Sequence, residues 1–267
     1  RVMPTWINVR YSHSDMGKII AIIPSRLESS RVHRKPLADI LGMPMVAHVY
    51  HRASLSPILD DVLVATDSEE VKSAVEQWGG KAVITSSKHR NGTERLAEAS
   101  RDMDAELVVL VNGDEALLNP DYIETSVNAL RASSAEASIL VNRFHRDNSP
   151  SDFKVVLNLN SEVMYISRGD IPCNARNPVD YRLKAYHIMA FRKDFLQVYA
   201  ALEKSPMESI EDHEHLRIIE NGYKLIAAEV DSTAVSVDTP QDLEFTREQM
   251  PADRFFARYQ HRLDGGH

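Results

Sequence analysis

The chain has 267 residues, of which 43% are hydrophobic and 26% charged, enough for one large α/β domain or a domain with a smaller lobe. Its formal net charge of -8 argues against a general nucleic-acid-binding protein, whose surface would be basic, and favours a small molecule as partner. The single cysteine, Cys173, excludes an intrachain disulfide and a cysteine-based zinc site and favours a cytoplasmic location. No apolar run approaches the roughly 20 residues of a membrane span, so we expect no membrane partner.

Strand and helix patterns alternate after the first sixteen residues, which we interpret as a tag or a disordered extension because they lack a secretory pattern. Apolar runs predict strands, and segments with a helical period predict helices between them. The predicted strands cover residues 18–23, 61–65, 81–84 and 106–111, and the predicted helices cover residues 44–55, 68–78 and 93–101. This alternation is typical of a parallel sheet covered by helices on both faces.

Capping signals support two helices. Ser68 precedes an acidic first turn, and that helix is expected to stop at Gly79 and Gly80. Pro120 follows Asn119 and opens a further helix at a first-turn position where proline is tolerated.

Residues 137–192 contain short apolar runs separated by loops, which predict a β-rich lobe. The last of these runs, residues 187–191, is expected to be a strand. The sequence shows no internal repeat and no linker, so the lobe should pack on the main sheet. We therefore predict a single domain over residues 17–250 that includes this lobe, followed by a C-terminal tail at 251–267.

A loop with several cations follows the first predicted strand. The apolar run Ile19–Ile23 reads as a buried strand that ends at Pro24. Small residues in the loop let backbone N–H groups approach an anion, and its basic side chains neutralise it. The small residues are Ser25, Ser29 and Ser30, and the cations are Arg26, Arg31, Arg34 and Lys35. Such a loop can hold a polyphosphate, although in isolation a solvated basic turn explains it as well.

The same loop lacks the glycines of a Walker loop and of the dinucleotide fingerprint. A Rossmann dehydrogenase is therefore disfavoured, because its pyrophosphate site depends on those glycines.

Two carboxylates follow apolar runs further along the chain. The run Val108–Val111 leads to Asp114, and Gly113 permits close approach of the backbone. The run Val235–Val237 predicts another strand that ends at Asp238 before a helix. Ligands of open α/β sheets bind at the carboxyl ends of strands, so both aspartates are expected to bind Mg²⁺. Taken alone, Asp238 fits a helix cap equally well.

Together these segments resemble the motifs of sugar-nucleotide cytidylyltransferases, specifically the 3-deoxy-manno-octulosonate (Kdo) cytidylyltransferase family, from about Lys18 to Gln249. Gly113-Asp114-Glu115 and Val237-Asp238-Thr239-Pro240 match the metal-binding elements of that family. The segment Gly92-Thr93-Glu94-Arg95 resembles its Ser-Gly-Thr-Asp-Arg element, which contacts the cytidine.

The resemblance implies an α/β fold of the Rossmann-like nucleotidyltransferase type, with a mostly parallel central sheet flanked by helices and a smaller β-rich lobe. In the family this lobe forms the contact of a homodimer and closes the acceptor site. The implied reaction transfers CMP from CTP to an acidic acceptor sugar of the Kdo type and releases pyrophosphate. It would require Mg²⁺ and would belong to lipopolysaccharide biosynthesis in the cytoplasm.

The resemblance also assigns roles to individual residues. The residues expected in catalysis are Arg26, Lys35, Asp114 and Asp238, of which the two aspartates bind the metal. The residues expected to bind the nucleotide are Pro24, Ser25, Arg26, Ser30, Arg31, Lys35, Thr66, Asp67, Gly92, Thr93, Arg95, Asn112 and Gly113. The residues expected to bind the acceptor are Arg31, Asn112, Lys154, Arg168, His187, Glu211 and Glu214. The last two belong to residues 208–217, where the family has an acidic helix that meets sugar hydroxyls.

Departures from the family pattern concentrate on the acceptor side. The Leu-Glu-Gln-Leu element of the family reads His213-Glu214-His215-Leu216 here, and its Gln-Gly-Asp-Glu-Pro element begins with Asn112 and ends with Ala116. A site that hydrogen-bonds its substrate discriminates strongly, so such changes can redirect specificity. The alternatives are a different acid, such as 8-amino-Kdo, a sialic-type acid or a phosphonate, or a catalytically silent nucleotide-binding protein.

The eleven histidines are not expected to form a metal site. His213 and His215 lie two residues apart, and on the expected helix that spacing points their side chains to different faces. We therefore predict Mg²⁺ and no zinc.

Overall fold

The computed structural model describes residues 17–28, 32–232 and 235–263. The strands are β1 (Ile19–Ser25), β2 (Asp39–Ile40), β3 (Met43–Pro44), β4 (Asp61–Thr66), β5 (Ala82–Ile84), β6 (Leu107–Leu110), β7 (Ala137–Phe144), β8 (Lys154–Leu157), β9 (Val163–Ser167), β10 (Arg182–Tyr186), β11 (Met189–Arg192) and β12 (Leu225–Glu229). The helices are α1 (Met45–Ala53), α2 (Glu69–Gln77), α3 (Gly92–Ser100), α4 (Asp121–Arg131), α5 (Lys193–Ala201), α6 (Pro206–Glu211), α7 (Leu216–Glu220) and α8 (Pro240–Gln249).

One large sheet contains two halves that differ in strand direction. Strands β5, β4, β1 and β6 lie side by side in that order and run parallel; we call them the parallel half. β11 then pairs antiparallel with β6, and the sheet continues through β7, β10, β8 and β9 in antiparallel pairs, with β12 parallel to β7. These six strands are the antiparallel half. The predicted α/β fold with a β-rich extension is confirmed.

Helices cover both faces of the sheet because the central strands are apolar on both sides. In β1, Ile19, Ala21 and Ile23 pack into one hydrophobic layer, while Ile20 and Ile22 pack into the other. The first layer includes residues of α1, α2, α4 and α8, and the second includes residues of α3, α5 and α7. The sheet therefore separates two hydrophobic cores. Because helices cover both faces, its edges are the part available to bind ligands.

Capping residues begin and end the helices close to the predicted positions. The Ser68 hydroxyl accepts a hydrogen bond from the Val71 N–H at 3.3 Å and begins α2. After that helix Gly79 adopts φ +73°, a left-handed conformation that glycine reaches without strain. Pro120 stands one position before α4 and serves as its N-cap residue.

Two predicted elements near the sheet edge are wrong. Residues 235–238 form no strand, although the Val237 N–H donates a hydrogen bond to the Asp114 carbonyl at 3.0 Å. Residues 208–217 do not form one helix, because Asp212 adopts a left-handed φ of +53° and ends α6 before α7 starts at Leu216. Residues 235–238 are thus a loop, and residues 212–215 form a turn between two short helices.

The predicted strand at residues 187–191 begins two residues too early, because His187 and Ile188 lie between β10 and β11. The Ile188 carbonyl accepts from the Ser126 hydroxyl of α4 at 3.2 Å instead of joining a ladder. His187 and Ile188 therefore interrupt the pairing with β7 between two strands that run in the same direction.

The residues that follow α8 fold back onto α1. Three short 3₁₀ turns cover Met250–Ala252, Phe256–Arg258 and Gln260–Leu263. The buried Arg52 of α1 pairs with Asp253 at 2.6 Å, and Phe256 and Tyr259 pack against the ring of His48. Among the helices of the described residues, none has the length and apolar character needed to cross a membrane.

Candidate functional site

A cavity of about 200 Å³ lies at the carboxyl edge of the parallel half. The end of β1 and the loop after β6 form most of it, as the carboxyl ends of neighbouring parallel strands do in open α/β sheets. Its walls consist of Pro24, Ser25, Arg26, Lys35, Pro36, Met45, Asn112, Gly113 and Asp114. The structure thus brings together most residues predicted in the first loop and after β6. Ser30 and Arg31 lie outside the described residues.

Two glycines let the surrounding loops approach the end of β1. A Cβ atom added at Gly113 would lie 3.0 Å from the Pro24 carbonyl oxygen, and one added at Gly92 would lie 3.3 Å from the Pro24 ring. Backbone cannot yield as a flexible side chain can, so position 113 requires glycine for this approach. Pro24 is therefore enclosed between the loop after β6 and the start of α3.

The carboxylates of Asp114 and Asp238 face one cation, the ammonium group of Lys35. Its Nζ lies 2.6 Å from Asp114 Oδ2 and 3.5 Å from Asp238 Oδ1, and all three side chains are partly exposed. Thr239 caps α8 directly after Asp238 and fixes that end of the loop. Two carboxylates gathered about one positive centre fit Mg²⁺, which takes one or two carboxylates together with phosphate oxygens and water.

The loops after β4 and β5 are joined by Arg95 of α3, whose side chain is buried. Its guanidinium donates to Asp67 Oδ2 at 2.8 Å and to the Thr85 hydroxyl at 2.6 Å. Thr66 is also buried, and its carbonyl accepts from the Thr85 N–H at 2.8 Å. Thr66, Asp67 and Arg95 were predicted to bind nucleotide; they line neither cavity described here and instead shape the loops beside them.

Arg26 connects the first loop with the segment that precedes α3, because its guanidinium donates to the His89 carbonyl. Asn91 begins α3, and its side chain accepts from the Glu94 N–H at 2.9 Å. The predicted cytidine element therefore does start a helix, and it lies against the cationic loop.

A second cavity of about 440 Å³ lies on the other side of Asn112, which belongs to the walls of both. Its walls consist of Arg90, Asn91, Leu110, Asn112, Phe153, His187, Lys204, Glu208, Asp212, His213, Glu214 and His215. Three of the predicted acceptor residues, Asn112, His187 and Glu214, are present. Sequence reasoning did not select Asn91, Phe153 and Lys204, although Asn91 and Phe153 adjoin the motif residues Gly92 and Lys154; Lys204 carries no motif.

Lys154 lies behind this cavity and not in its wall. Its side chain has no exposed surface, and Nζ donates to the carbonyls of Ser149 at 2.7 Å, Asp152 at 2.8 Å and Arg168. A buried ammonium group needs such partners, and these three use all of its donors. Lys154 therefore holds strand connections in this structure and does not line the cavity, and its contact with the acceptor stays a prediction.

Glu211 and Arg168 also turn away from the cavity. The Glu211 carboxylate accepts from the Ser167 hydroxyl at 2.7 Å and from the Arg168 N–H at 2.9 Å. The Arg168 guanidinium lies 4.2 Å from the centre of the Phe153 ring, on the wall of the cavity. Arg168 thus packs on Phe153 and Glu211 holds the Arg168 backbone, and neither residue lines the cavity, although the sequence predicted that both contact the acceptor.

A buried ion-pair network fixes the segment that carries Glu214. Arg217 donates two hydrogen bonds to Glu208, at 2.6 and 2.8 Å, and one to Glu94 of α3 at 3.1 Å. All three side chains are less than a tenth exposed. The network ties α6 and α7 to α3, so the two walls of the larger cavity are held at a set separation.

Two carboxyl groups, the buried Glu115 and the partly exposed Glu214, have raised pKa values. Burial raises the pKa of Glu214 to about 7, and the Thr93 N–H that donates to it at 3.3 Å acts in the opposite direction. Burial raises the pKa of Glu115 to about 8, and the charge of the neighbouring Asp114 adds to this effect. Glu115 was not among the predicted site residues, although its place beside Asp114 at the end of a buried strand was a usable signal.

Three histidines meet on the wall of the larger cavity, although the sequence predicted that the histidines form no metal site. The ring nitrogens of His187, His213 and His215 lie within 4.8 Å of one another and form a group that could hold a metal ion. Burial lowers the pKa of all three, to about 4 for His187. The helical placement of His213 and His215 on which that prediction relied is wrong, because both residues belong to the turn between α6 and α7.

Comparison with known families gives a match to the family described as Cytidylyltransferase over residues 20–226. The chain is 40% identical over 242 residues to 3-deoxy-manno-octulosonate cytidylyltransferase of Syntrophus aciditrophicus, a match that covers 87% of this chain and 97% of that protein. It is 37% identical over 238 residues to the protein of that name from Escherichia coli, covering 88% of this chain and 97% of the relative.

Solved structures agree with these matches. The structure of CMP:2-keto-3-deoxy-manno-octonic acid synthetase complexed with CTP superposes with a TM-score of 0.85 at 36% identity and covers 88% of this chain and 99% of that one. A 4-diphosphocytidyl-2C-methyl-D-erythritol synthase from Anaerococcus prevotii has a TM-score of 0.56 at 15% identity over 88% of this chain and 96% of that one, which shows a common fold.

Proposed function

Because the chain belongs to the 3-deoxy-manno-octulosonate cytidylyltransferase family, we propose that it transfers CMP from CTP to Kdo or a closely related acid and releases pyrophosphate. The observation that carries the proposal is the pair of adjacent cavities with Asn112 in both walls. One cavity has the charges that a triphosphate needs, and the other has the size and polar groups that suit a sugar acid.

In the proposed reaction the triphosphate lies in the smaller cavity. An oxygen of the acceptor hydroxyl attacks the α-phosphorus, and the bond from that phosphorus to the bridging oxygen of pyrophosphate breaks. Arg26 and Lys35 balance the charge that develops on the departing pyrophosphate. Asp114 and Asp238 would hold Mg²⁺, which when bound supplies further neutralisation of the phosphate oxygens. Holding donor and acceptor in line supplies much of the acceleration.

In the larger cavity the acceptor would lie between the start of α3 and the turn that carries Glu214. We propose that Asn112, His187 and Glu214 hydrogen-bond the acceptor. Lys204, whose side chain lines the same cavity, supplies a cation for its carboxylate. The nucleotide roles proposed for Thr66, Asp67 and Arg95 are indirect, since these residues act through the loops that they hold.

A different acidic acceptor is a second candidate, and one observation favours it. His213 and His215 replace the leucine and glutamine of the family pattern, and both line the acceptor cavity. Sites with buried hydrogen-bonding groups reject analogues that leave those groups unpaired. An 8-amino-Kdo, a sialic-type acid or a phosphonate would then be preferred over Kdo.

The experiment that tests the function is pyrophosphate release from CTP and Mg²⁺ against Kdo, 8-amino-Kdo, sialic-type acids and small phosphonates, with UTP and ATP as nucleotide controls. Release with Kdo supports the first candidate, and release with another acid alone supports the second. Binding of CTP without release from any acid would overturn both and favour a silent nucleotide-binding protein.

We further propose that the enzyme is a homodimer in the cytoplasm and that residues 17–250 act as one domain. The edge strand β9 pairs only with β8 among the described strands, and Met164 on it is 57% exposed, which supports a contact between copies at the antiparallel half. Light scattering after size-exclusion chromatography tests the dimer, and Met164→Lys is expected to weaken it.

A further inference from the structure

We propose that His187, His213 and His215 form a binding site for a divalent transition metal of the Zn²⁺ class, with an open ligand position that faces the larger cavity. The site is separate from the Asp114 and Asp238 pair in the smaller cavity. The existence of the site stands on its own geometry, while its use in holding an acidic acceptor rests on the proposed function.

The spacing of the ring nitrogens carries the argument. His187 Nε2 and His213 Nε2 are 3.1 Å apart. Two nitrogens that bind a tetrahedral zinc ion at about 2.0–2.1 Å lie about 3.3–3.4 Å from each other, so this pair is already near ligating separation. The third ring has a nitrogen within 4.8 Å of both. A side-chain rotation that moves it by about 1 Å completes three ligands at the distances that zinc requires.

Unsatisfied polar atoms point to a missing ligand. His213 and His215 are only 4% and 2% exposed, and the Nδ1 atom of each is buried with no hydrogen-bond partner among the described residues. Buried polar nitrogens are normally paired, and exceptions call for an explanation such as an ion. The Nε2 atom of His215 already lies 3.3 Å from the Thr93 hydroxyl, so its Nδ1 is the nitrogen left for a metal, and an ion bound there would satisfy it.

The surroundings keep the rings in place. Phe153 packs against His213 edge-to-face with the ring centres 4.4 Å apart, and the Arg168 guanidinium lies over the Phe153 ring. The Thr93 hydroxyl lies 3.3 Å from His215 Nε2 and can orient that imidazole for ligation through its other nitrogen. Packing of this kind holds the three side chains near one point before a metal arrives.

The donor set selects the class of metal. Imidazole nitrogens suit zinc, copper, nickel and iron, whereas Mg²⁺ prefers oxygen ligands. Three protein ligands with one position left for water or substrate are the arrangement of catalytic-type zinc sites. Here the fourth position opens into the cavity proposed for the acceptor, so a carboxylate or hydroxyl oxygen of a sugar acid would complete the coordination and anchor the acceptor.

Metal binding is tested first, without nucleotide or acceptor. Metal-free enzyme is titrated with Co²⁺ and followed by its visible absorption, which is intense for four-coordinate cobalt, and then with Zn²⁺ by calorimetry. We expect one ion per chain. The double variant His213→Leu, His215→Gln should bind roughly 100-fold more weakly or not at all. The exposed His145, replaced by glutamine, is the matched control and should bind as the parent does.

Absence of stoichiometric Co²⁺ and Zn²⁺ binding by the parent would overturn the site, as would unchanged affinity in the double variant. Circular dichroism and protection by CTP against thermal unfolding check that the double variant is folded. If it is not, His187→Gln alone provides the same comparison, since it removes one ligand and leaves the turn between α6 and α7 intact.

The acceptor role is tested by adding the acid to Co²⁺-loaded enzyme. A change in the visible spectrum at saturating acid supports coordination through the open position, and an unchanged spectrum overturns that role while the metal site stands. Failure of the proposed function has a different signature: no acid gives pyrophosphate release, yet Co²⁺ binds to the parent and not to the double variant.

Discussion

The two halves of the sheet present their polar groups in opposite ways. At the smaller cavity, oppositely charged groups face each other at partly exposed positions, with Lys35 17% and Asp114 25% exposed. At the larger cavity His213 and His215 are only 4% and 2% exposed, and they lie beside Glu214, which is 23% exposed and whose pKa is raised to about 7. In the proposed reaction the first set meets a polyanion and its metal, whereas the second set recognises the acceptor by shape and hydrogen bonding. Specificity is therefore expected to change through the antiparallel half.

The strongest test of this contrast removes a buried cation beside the larger cavity. Arg217→Met leaves Glu208 without its cation, while Glu94 keeps its pair with Arg90 at 2.6 Å. A buried carboxylate without a counterion costs about 3–5 kcal/mol in unfolding free energy. Urea denaturation measures the loss. Lys18→Met, which breaks the exposed pair with Asp104, is the control and should change stability little. Equal losses of unfolding free energy in the two variants would show that the buried and the exposed ion pairs contribute alike.

In the parallel half the largest effect should fall on turnover and not on stability. Asp114→Asn removes one of the two carboxylates proposed for Mg²⁺, and loss of one charge-stabilising group lowers kcat by roughly 10² to 10³. Steady-state pyrophosphate release at saturating CTP and acceptor measures it, with the exposed Asp102→Asn as control. Turnover like that of the parent in Asp114→Asn would refute the metal assignment.

The pH dependence of the unfolding free energy tests how a buried histidine stabilises the parallel half. His48 of α1 is fully buried; its Nε2–H donates to the Ile40 carbonyl at 2.8 Å, and its Nδ1 accepts from the Tyr259 hydroxyl at 3.0 Å. Burial lowers the pKa of His48 from 6.5 to about 4, so the unfolded state takes up the proton first. Its contribution is intact above pH 6.5 and decreases as the pH falls to about 4, by about 3 kcal/mol.

Unfolding of the parent and of His48→Gln in urea between pH 7 and 4 checks this. The variant should lose less stability across the range than the parent does. Some slope should remain, because burial also lowers the pKa of His51 to about 4. Parallel curves for the two proteins would contradict the assignment.

The smallest expected effect tests whether Glu211 supports the wall of the larger cavity or contacts the acceptor directly. Tyr165→Phe removes a hydrogen bond at 3.3 Å to Glu211, which keeps its bonds from Ser167 and Arg168. Stability should fall by about 1 kcal/mol or less, because the lost bond is one of several. The KM for the acceptor should not change. An increased KM would show that Glu211 itself contacts the acceptor, as the family resemblance implied.

Much of the parallel half could be predicted from the sequence, because its signals are local. The apolar run of β1, the proline that follows it and the serine before α2 each specify structure within a few residues. Lys35 and Asp114, 79 positions apart, could be placed together because both follow strands of one parallel sheet.

The antiparallel half could be predicted less well, because its site depends on turns and on contacts that are distant in sequence. Nothing local shows that Asp212 adopts a left-handed conformation, yet that one residue ends α6 and turns His213 toward His187. Lys154 followed a recognisable motif, but its role depends on three carbonyls that surround it only in the folded chain. Motif matching identified the segment and not the direction of its side chains.

Asn112 stands in the wall that separates the two cavities and is common to both. Its side-chain amide also donates a hydrogen bond to Glu115 at 3.3 Å. The orientation of Asn112 is therefore set by a buried carboxyl group that lines neither cavity. Exchanging the antiparallel half for that of a relative would therefore not transfer acceptor preference as a separable module. The graft would succeed only when Asn112 and Glu115 were exchanged with it, and these two positions are the first to randomise in any effort to evolve a new acceptor.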